Sequence, residues 1–153
     1  MVGYSAFCGC SNLLEINLPE GITKIADETF EKCRRMKFII IPPDVTTIED
    51  WAFKDCEELK SVQLSGGIKG IKWHAFHGCS SLEEIHIPKG VTEIQGGAFD
   101  SCLNLKKVYI PSSVTEIGPA IFYDCPEPII CCPEGSYAER NVKENGIMLE
   151  IVN

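Results

Sequence analysis

Basic residues are scarce in this chain: 14 Lys and Arg stand against 22 Asp and Glu, a formal charge of −8. A surface of that sign repels phosphate, which excludes nucleic acid as a partner. The cations are scattered, so there is no polybasic patch for a membrane surface. No apolar run approaches the roughly 20 residues that a bilayer-spanning helix needs, and membrane insertion is not expected. No leader-like stretch stands at the start; Met1 to Phe7 runs directly into a recurring unit. Cys-x-x-Cys pairs, Ser/His/Asp patterns and phosphate-cradling glycine loops are all missing. Gly66-Gly67 and Gly96-Gly97 fall on turns between repeats. The acidic pairs Glu57-Glu58 and Glu83-Glu84 fall on loops, where solvation explains them better than acid–base chemistry. These absences argue against an enzyme and against a bound cofactor.

What is present is a ruler. Phenylalanines stand at 7, 30, 53, 76, 99 and 122, a gap of 23 residues each time. A fixed period of this size marks a solenoid of stacked units. Three residues after each phenylalanine comes a cysteine: Cys10, Cys33, Cys56, Cys79, Cys102 and Cys125. Leu13, Met36, Leu59, Leu82 and Leu105 form the next column. Pairs such as Ile16/Leu18, Ile39/Ile41 and Val108/Ile110 follow, then Pro19, Pro42, Pro88 and Pro111. A second apolar pair closes each unit, as in Val91/Ile94.

Each unit thus reads Ala-Phe-x-x-Cys-x-x-Leu-x-x-Ile-x-Ile-Pro-x-x-Val-Thr-x-Ile. The Leu-x-x-Ile-x-Ile stretch alternates with period two and stops at a residue that cannot donate to a ladder, which predicts a short strand. Successive strands should stack in parallel about 4.8 Å apart as one continuous sheet. The second apolar pair predicts a short extended segment on the opposite side, and Ala-Phe-x-x-Cys a helical or 3₁₀ turn. The third unit has Ser65-Gly66-Gly67 where proline is usual, which predicts a looser loop. The sixth puts Pro128, Cys131 and Pro133 on core columns, where the repeat dissolves.

The pattern resembles the BspA-type leucine-rich repeats. That resemblance implies a right-handed coil of the α/β leucine-rich-repeat type, with a parallel β-sheet on the concave face and short extended or 3₁₀ segments elsewhere. It also implies a cell-surface or secreted protein of bacterial type that attaches to host proteins or to other cells. Residues 1–133 form the solenoid on this reading, with about six units of which the first and last are incomplete. Residues 134–153 form a C-terminal cap: a helix from Tyr137 to Asn145 opened by the Ser136/Glu139 capping box and stopped at Gly146, then a strand over 147–152. Val2 aligns with Ile94 and Ile117, so the first unit lacks a preceding strand and reads as a fragment of a longer protein. An open first coil predicts self-association through that end.

The six in-column cysteines read as a ladder of buried thiols, parallel and unpaired. Off the column, Cys131 falls at the sheet position of Ile16, while Cys8 and Cys132 are the candidates for exposure and for thiol-redox or metal chemistry. His74 and His77 could share one side of a turn, but no third ligand recurs beside them in sequence, so no metal site is assigned.

Function is therefore sought on a surface. If Ile16 and Leu18 point inward, Glu15 and Asn17 point outward, and the same alternation turns out Phe38/Ile40, Ser61/Gln63, Glu84/His86 and Lys107/Tyr109. These ten side chains should line the concave face. Phe38 and Ile40 are apolar in outward columns, which marks either a contact patch or a surface covered by a neighbouring unit or second copy. Tyr109 adds an aromatic of the kind enriched at hot spots. The partner class is a protein, an extended peptide or a glycan. The competing readings are a passive spacer and a thiol-redox or metal-binding protein.

Overall fold

The computed structural model describes residues 2–152. Short strands recur with the phenylalanine period. On one side run β2 (Phe38–Ile40), β4 (Ser61–Gln63), β6 (Glu84–His86), β8 (Lys107–Tyr109) and β10 (Ile129–Cys132). On the other run β1 (Lys24–Ile25), β3 (Thr47–Ile48), β5 (Gly70–Ile71), β7 (Glu93–Ile94) and β9 (Glu116–Ile117), joined in that order into one five-stranded parallel sheet. The pairing is in repeat register: Ile25 faces Ile48, and Ile71 faces Ile94. Each coil buries its apolar columns only against the coils above and below, which is how a unit too short for its own core becomes stable.

The phenylalanine column is a continuous stack. Ring centroids from Phe7 to Phe122 lie 5.2–5.9 Å apart, with neighbouring planes within 15°. Phe30, Phe53, Phe76 and Phe99 are fully enclosed. The cysteine column beside it is more than apolar filler. Each thiol donates to the carbonyl of the phenylalanine one coil earlier: Cys33 to Phe7 at 3.1 Å, Cys56 to Phe30 at 3.1 Å, Cys79 to Phe53 at 3.2 Å, Cys102 to Phe76 at 3.2 Å and Cys125 to Phe99 at 2.9 Å. Each of these carbonyls also accepts the amide of the cysteine three residues on, as Phe30 does from Cys33 at 3.0 Å, so the thiol fills the second acceptor site, which a Val or Ala would leave unused. The ladder ends in air: Cys10 is exposed and Cys125 half-buried, so the expectation of burial holds for the inner four.

The expected helical or 3₁₀ turn is replaced by chained tight turns. Backbone conformation explains the difference. The residue two before each phenylalanine is left-handed, with φ from 50° to 64° at Ser5, Glu28, Trp51, His74, Gly97 and Ala120. So is the residue two after it, as at Lys32, Asp55, Gly78 and Ser101. A left-handed residue every few positions forbids helix continuation. The freed amides bond to the next coil instead: Phe30, Phe53 and Phe76 each donate at 2.8 Å to the alanine carbonyl one period on. The turn side of the solenoid is thus hydrogen-bonded along the stack, much as the sheets are.

The concave side departs from expectation in three ways. It is two sheets, β2-β4 and β6-β8-β10-β11, rather than one, with no ladder joining β4 to β6 among the described residues. The first unit has no strand over residues 14–19. The Ser65-Gly66-Gly67 loop packs closely: Ser65 Oγ donates to the Pro42 carbonyl at 3.0 Å, and a Cβ on Gly67 would sit 2.3 Å from the Pro43 carbonyl oxygen.

The sixth coil also slips by one residue. Ile130 pairs with Val108 and Cys131 with Tyr109, so the inward column resumes eight residues after Phe122, where Val108 follows Phe99 by nine. Cys131 is buried, but on an outward column and not at the Ile16 position. Cys132 takes the inward place and is fully enclosed, which corrects its assignment as an exposed thiol.

Helix α1 (Tyr137–Glu144) then crosses the end, burying Ala138 and Val142, and β11 (Leu149–Ile151) pairs parallel with β10. Ser136 Oγ accepts from the Glu139 amide at 3.1 Å, as a capping box requires. Glu139 reaches back one residue further than expected, accepting from the Gly135 amide at 2.6 Å. Asn145 closes the helix, and Gly146 follows at φ 67°.

Candidate functional site

Alternation along the three-residue strands puts Ile39, Ile85 and Val108 in the core and turns their flanking residues out. Register then makes ladders of the outward residues: Phe38 beside Ser61 and Ile40 beside Gln63, Glu84 beside Lys107 and His86 beside Tyr109. Eight of the ten residues named from sequence therefore stand on strands of this face. Glu15 and Asn17 are exposed, but on a segment without a ladder.

The face divides chemically. At one end Phe38 and Ile40 are 45% and 56% exposed, values unusual for two apolar side chains so close together. Hollows lie on both sides of them. One, of about 440 Å³, is lined by Phe38, Ile40, Ser61, Gln63 and His86, on the seam where the ladder between β4 and β6 is missing. The other, of about 180 Å³, lies between Phe38 and Ile40 and the Asn17–Leu18 segment.

At the other end the residues are occupied with one another. The His86 and Tyr109 rings stack at 4.0 Å with planes 6° apart. His86 Nε2 lies 3.7 Å from Glu84 Oε1. Lys107 is tied to Glu150 of β11 at 2.8 Å, and that hydrogen bond raises the lysine pKa above its ordinary value. Glu150 and Cys131 border this face and were missed from sequence, Glu150 because it arrives from the cap and Cys131 because of the one-residue slip. The sequence signal for the slip was the pair of prolines at 126 and 128, and Glu150 lay on the strand expected over 147–152.

At the two thiols singled out from sequence, Cys8 and Cys132, the surroundings work against the thiolate. Burial pushes the Cys132 pKa up, partly offset by a hydrogen bond with Ser136. The Cys8 thiol, 3.9 Å from Glu31 Oε2, is raised by burial and then by that carboxylate. Raised values disfavour the nucleophilic thiolate. The two cysteines lie in the first and last coils, far out of each other's reach.

The turn side supplies a constellation that the sequence did not reveal. His74 and His77 of one coil converge on Asp100 of the next, correcting the reading that no third ligand stands beside them. Asp100 Oδ2 lies 3.1 Å from His77 Nδ1 and 3.8 Å from His74 Nδ1. Asp100 occupies the column of His77, 23 residues on, so the stacking period itself brings them together.

A solenoid of short parallel strands at a 23-residue period, capped by a helix and a strand, defines the leucine-rich-repeat class. The family model for the BspA type leucine rich repeat region matches residues 1–128 in six copies, and the chain belongs to that family. Solved structures agree. A leucine rich cell surface protein from Faecalibacterium prausnitzii A2-165 superposes with a TM-score of 0.77 at 32% identity over 84% of this chain and 34% of its own. A leucine-rich repeat protein from Bacteroides ovatus ATCC 8483 gives 0.79 at 36% identity, over 85% and 34%. The leucine rich repeat protein of T. pallidum gives 0.73 at 26% identity, over 97% and 78%. The chain spans about a third of the length of the first two. No curated protein matches it in sequence. Proteins of this family and fold are generally interaction modules and typically not enzymes. No helix among the described residues is long and apolar enough to cross a membrane.

Proposed function

We propose that this chain is the binding module of a surface-exposed adhesion protein and that it grips a segment of a partner protein across its concave face. One observation carries the reading: Phe38 and Ile40 stand exposed side by side with a hollow on each flank. Water-exposed apolar area of this kind is an incentive to bury, and flanking hollows accept the side chains of whatever covers it. Glu15, Asn17, Ser61, Gln63, Glu84 and His86 form a polar surround that can exchange hydrogen bonds with a partner backbone. Lys107 and Tyr109, half-buried and already engaged, serve as the wall of the site rather than as free contacts. The cell-surface placement rests on family membership and on the F. prausnitzii relative.

The test is binding of the purified chain to immobilised extracellular-matrix proteins and glycans, beside a Phe38→Ser/Ile40→Ser variant whose unfolding temperature matches the native one. Retention of a matrix protein by the native chain and its loss by the variant is the expected result. Retention only of glycans would shift the partner class. Silence from both chains, or binding unaffected by the variant, would leave the concave face a passive wall and the chain a spacer.

A further inference from the structure

We propose that His74, His77 and Asp100 form a binding site for a divalent transition cation, Zn²⁺ being the one their donor set suits best. Two imidazole nitrogens and one carboxylate oxygen are a standard zinc donor set. Ligands about 2.0–2.1 Å from a tetrahedral centre lie about 3.3 Å from one another. The separations of 3.1 and 3.8 Å to Asp100 Oδ2 bracket that value, and all three donor atoms fall within 4.8 Å of one another.

Three further features fit a cation. Both Nδ1 atoms are shielded from solvent yet have no hydrogen-bond partner among the described residues, a costly state for two buried polar atoms. The short contact to Asp100 is one of distance without the direction of a hydrogen bond, as befits two ligands facing a shared centre. Asp100 Oδ1 meanwhile accepts from Ser101 Oγ at 2.8 Å, which orients the carboxylate and leaves Oδ2 free. Finally, room for the His74 ring exists because the next coil has glycine in that column: a Cβ on Gly97 would lie 2.3 Å from the ring's Cε1 and Nδ1. The histidine side chains remain about a third exposed while their Nδ1 atoms are shielded, so a cation can reach the site from the surface, and the fourth position is left for water.

The experiment is a zinc titration of the Cys8→Ser/Cys10→Ser chain, which removes the two exposed thiols as competing ligands. Calorimetry gives the stoichiometry, and nitrogen NMR follows the imidazoles. One equivalent should bind, moving the Nδ1 resonances of His74 and His77 and leaving His86 still. His77→Ala and Asp100→Asn, each checked for an unchanged fold by circular dichroism, should weaken binding by at least about tenfold. Gly97→Ala tests the site without touching a ligand. Ala120 holds the same left-handed backbone in that column, so alanine can be placed there at some cost in strain, and its Cβ displaces the His74 ring; circular dichroism checks that the fold is kept. It too should weaken zinc binding. Zinc that leaves the His74 and His77 resonances unmoved, or affinity unchanged in folded His77→Ala, would overturn the proposal.

Discussion

At the scale of single residues, the two invariant columns do different work. The phenylalanines supply enclosed area, and Phe76→Ala should cost about 3–5 kcal/mol, measured by urea unfolding, because the stack closes on both sides of Phe76. The cysteines supply donors, and their pH behaviour follows from burial. Desolvation pushes the Cys33 pKa up to about 12 and that of Cys125 up to about 11, with Cys56, Cys79 and Cys102 also well above the ordinary thiol value. Above about pH 9 the unfolded chain releases protons that the folded chain keeps, so stability present at neutral pH must fall as pH rises toward the folded values. Each such thiol contributes up to about 1.4 kcal/mol of loss per pH unit in that window. Cys56→Ala/Cys79→Ala should be weaker than the native chain at about pH 8 but lose less between about pH 8 and about pH 10.5. Urea unfolding at the two pH values decides it; parallel losses would refute the assignment. Native-state thiol titration should meanwhile label Cys8 and Cys10 first.

At the scale of elements, the cap helix is short and leans on its ends. Ser136→Ala removes the acceptor for the Glu139 amide and should cost about 1 kcal/mol, read as a lower unfolding midpoint. Helix and cap were legible because capping chemistry is local, and the strands because their alternation is. Three features of the repeat lay beyond sequence reading. The left-handed turn residues are Ser, Glu, Trp, His and Ala as well as Gly, so no glycine rule marks them; stacking holds them there. The slip in the sixth coil is a count between prolines, and counting forward from Phe122 gave Cys131 where the structure puts Ile130. The break between β4 and β6 is a relation between two coils and was not read from the pattern of either one. The concave face was predicted because it needs only alternation and register. The histidine–aspartate cluster was missed because its third member comes from another coil, although His77 and Asp100 share a column. A search by column for metal-ligating residues would have paired them.

At the scale of the whole molecule, the two ends of the solenoid are not equivalent. At one end α1 and β11 cover the last coil, and the outer strand of that sheet is supplied by the cap itself. At the other, Phe7 is half-buried and stacked on Phe30 alone among the rings, Tyr4 and Leu14 are 67% and 47% exposed, and β1 is an edge strand. An edge strand beside apolar area is a template for pairing. Two chains joining through their first coils would use the same surface on each, and such a contact closes at the dimer because the capped ends face outward. Sedimentation should therefore show a monomer–dimer equilibrium that shifts with concentration, and Leu14→Lys should move it toward monomer. Removing the cap changes the geometry of the problem. With residues 134–153 deleted, both ends present open coils of the same period, and a head-to-tail contact can repeat without closing. The deleted chain should sediment as a broad series of larger species, while residues 1–153 by themselves stop at two; a strict monomer for both at high concentration would show that the open coils do not associate.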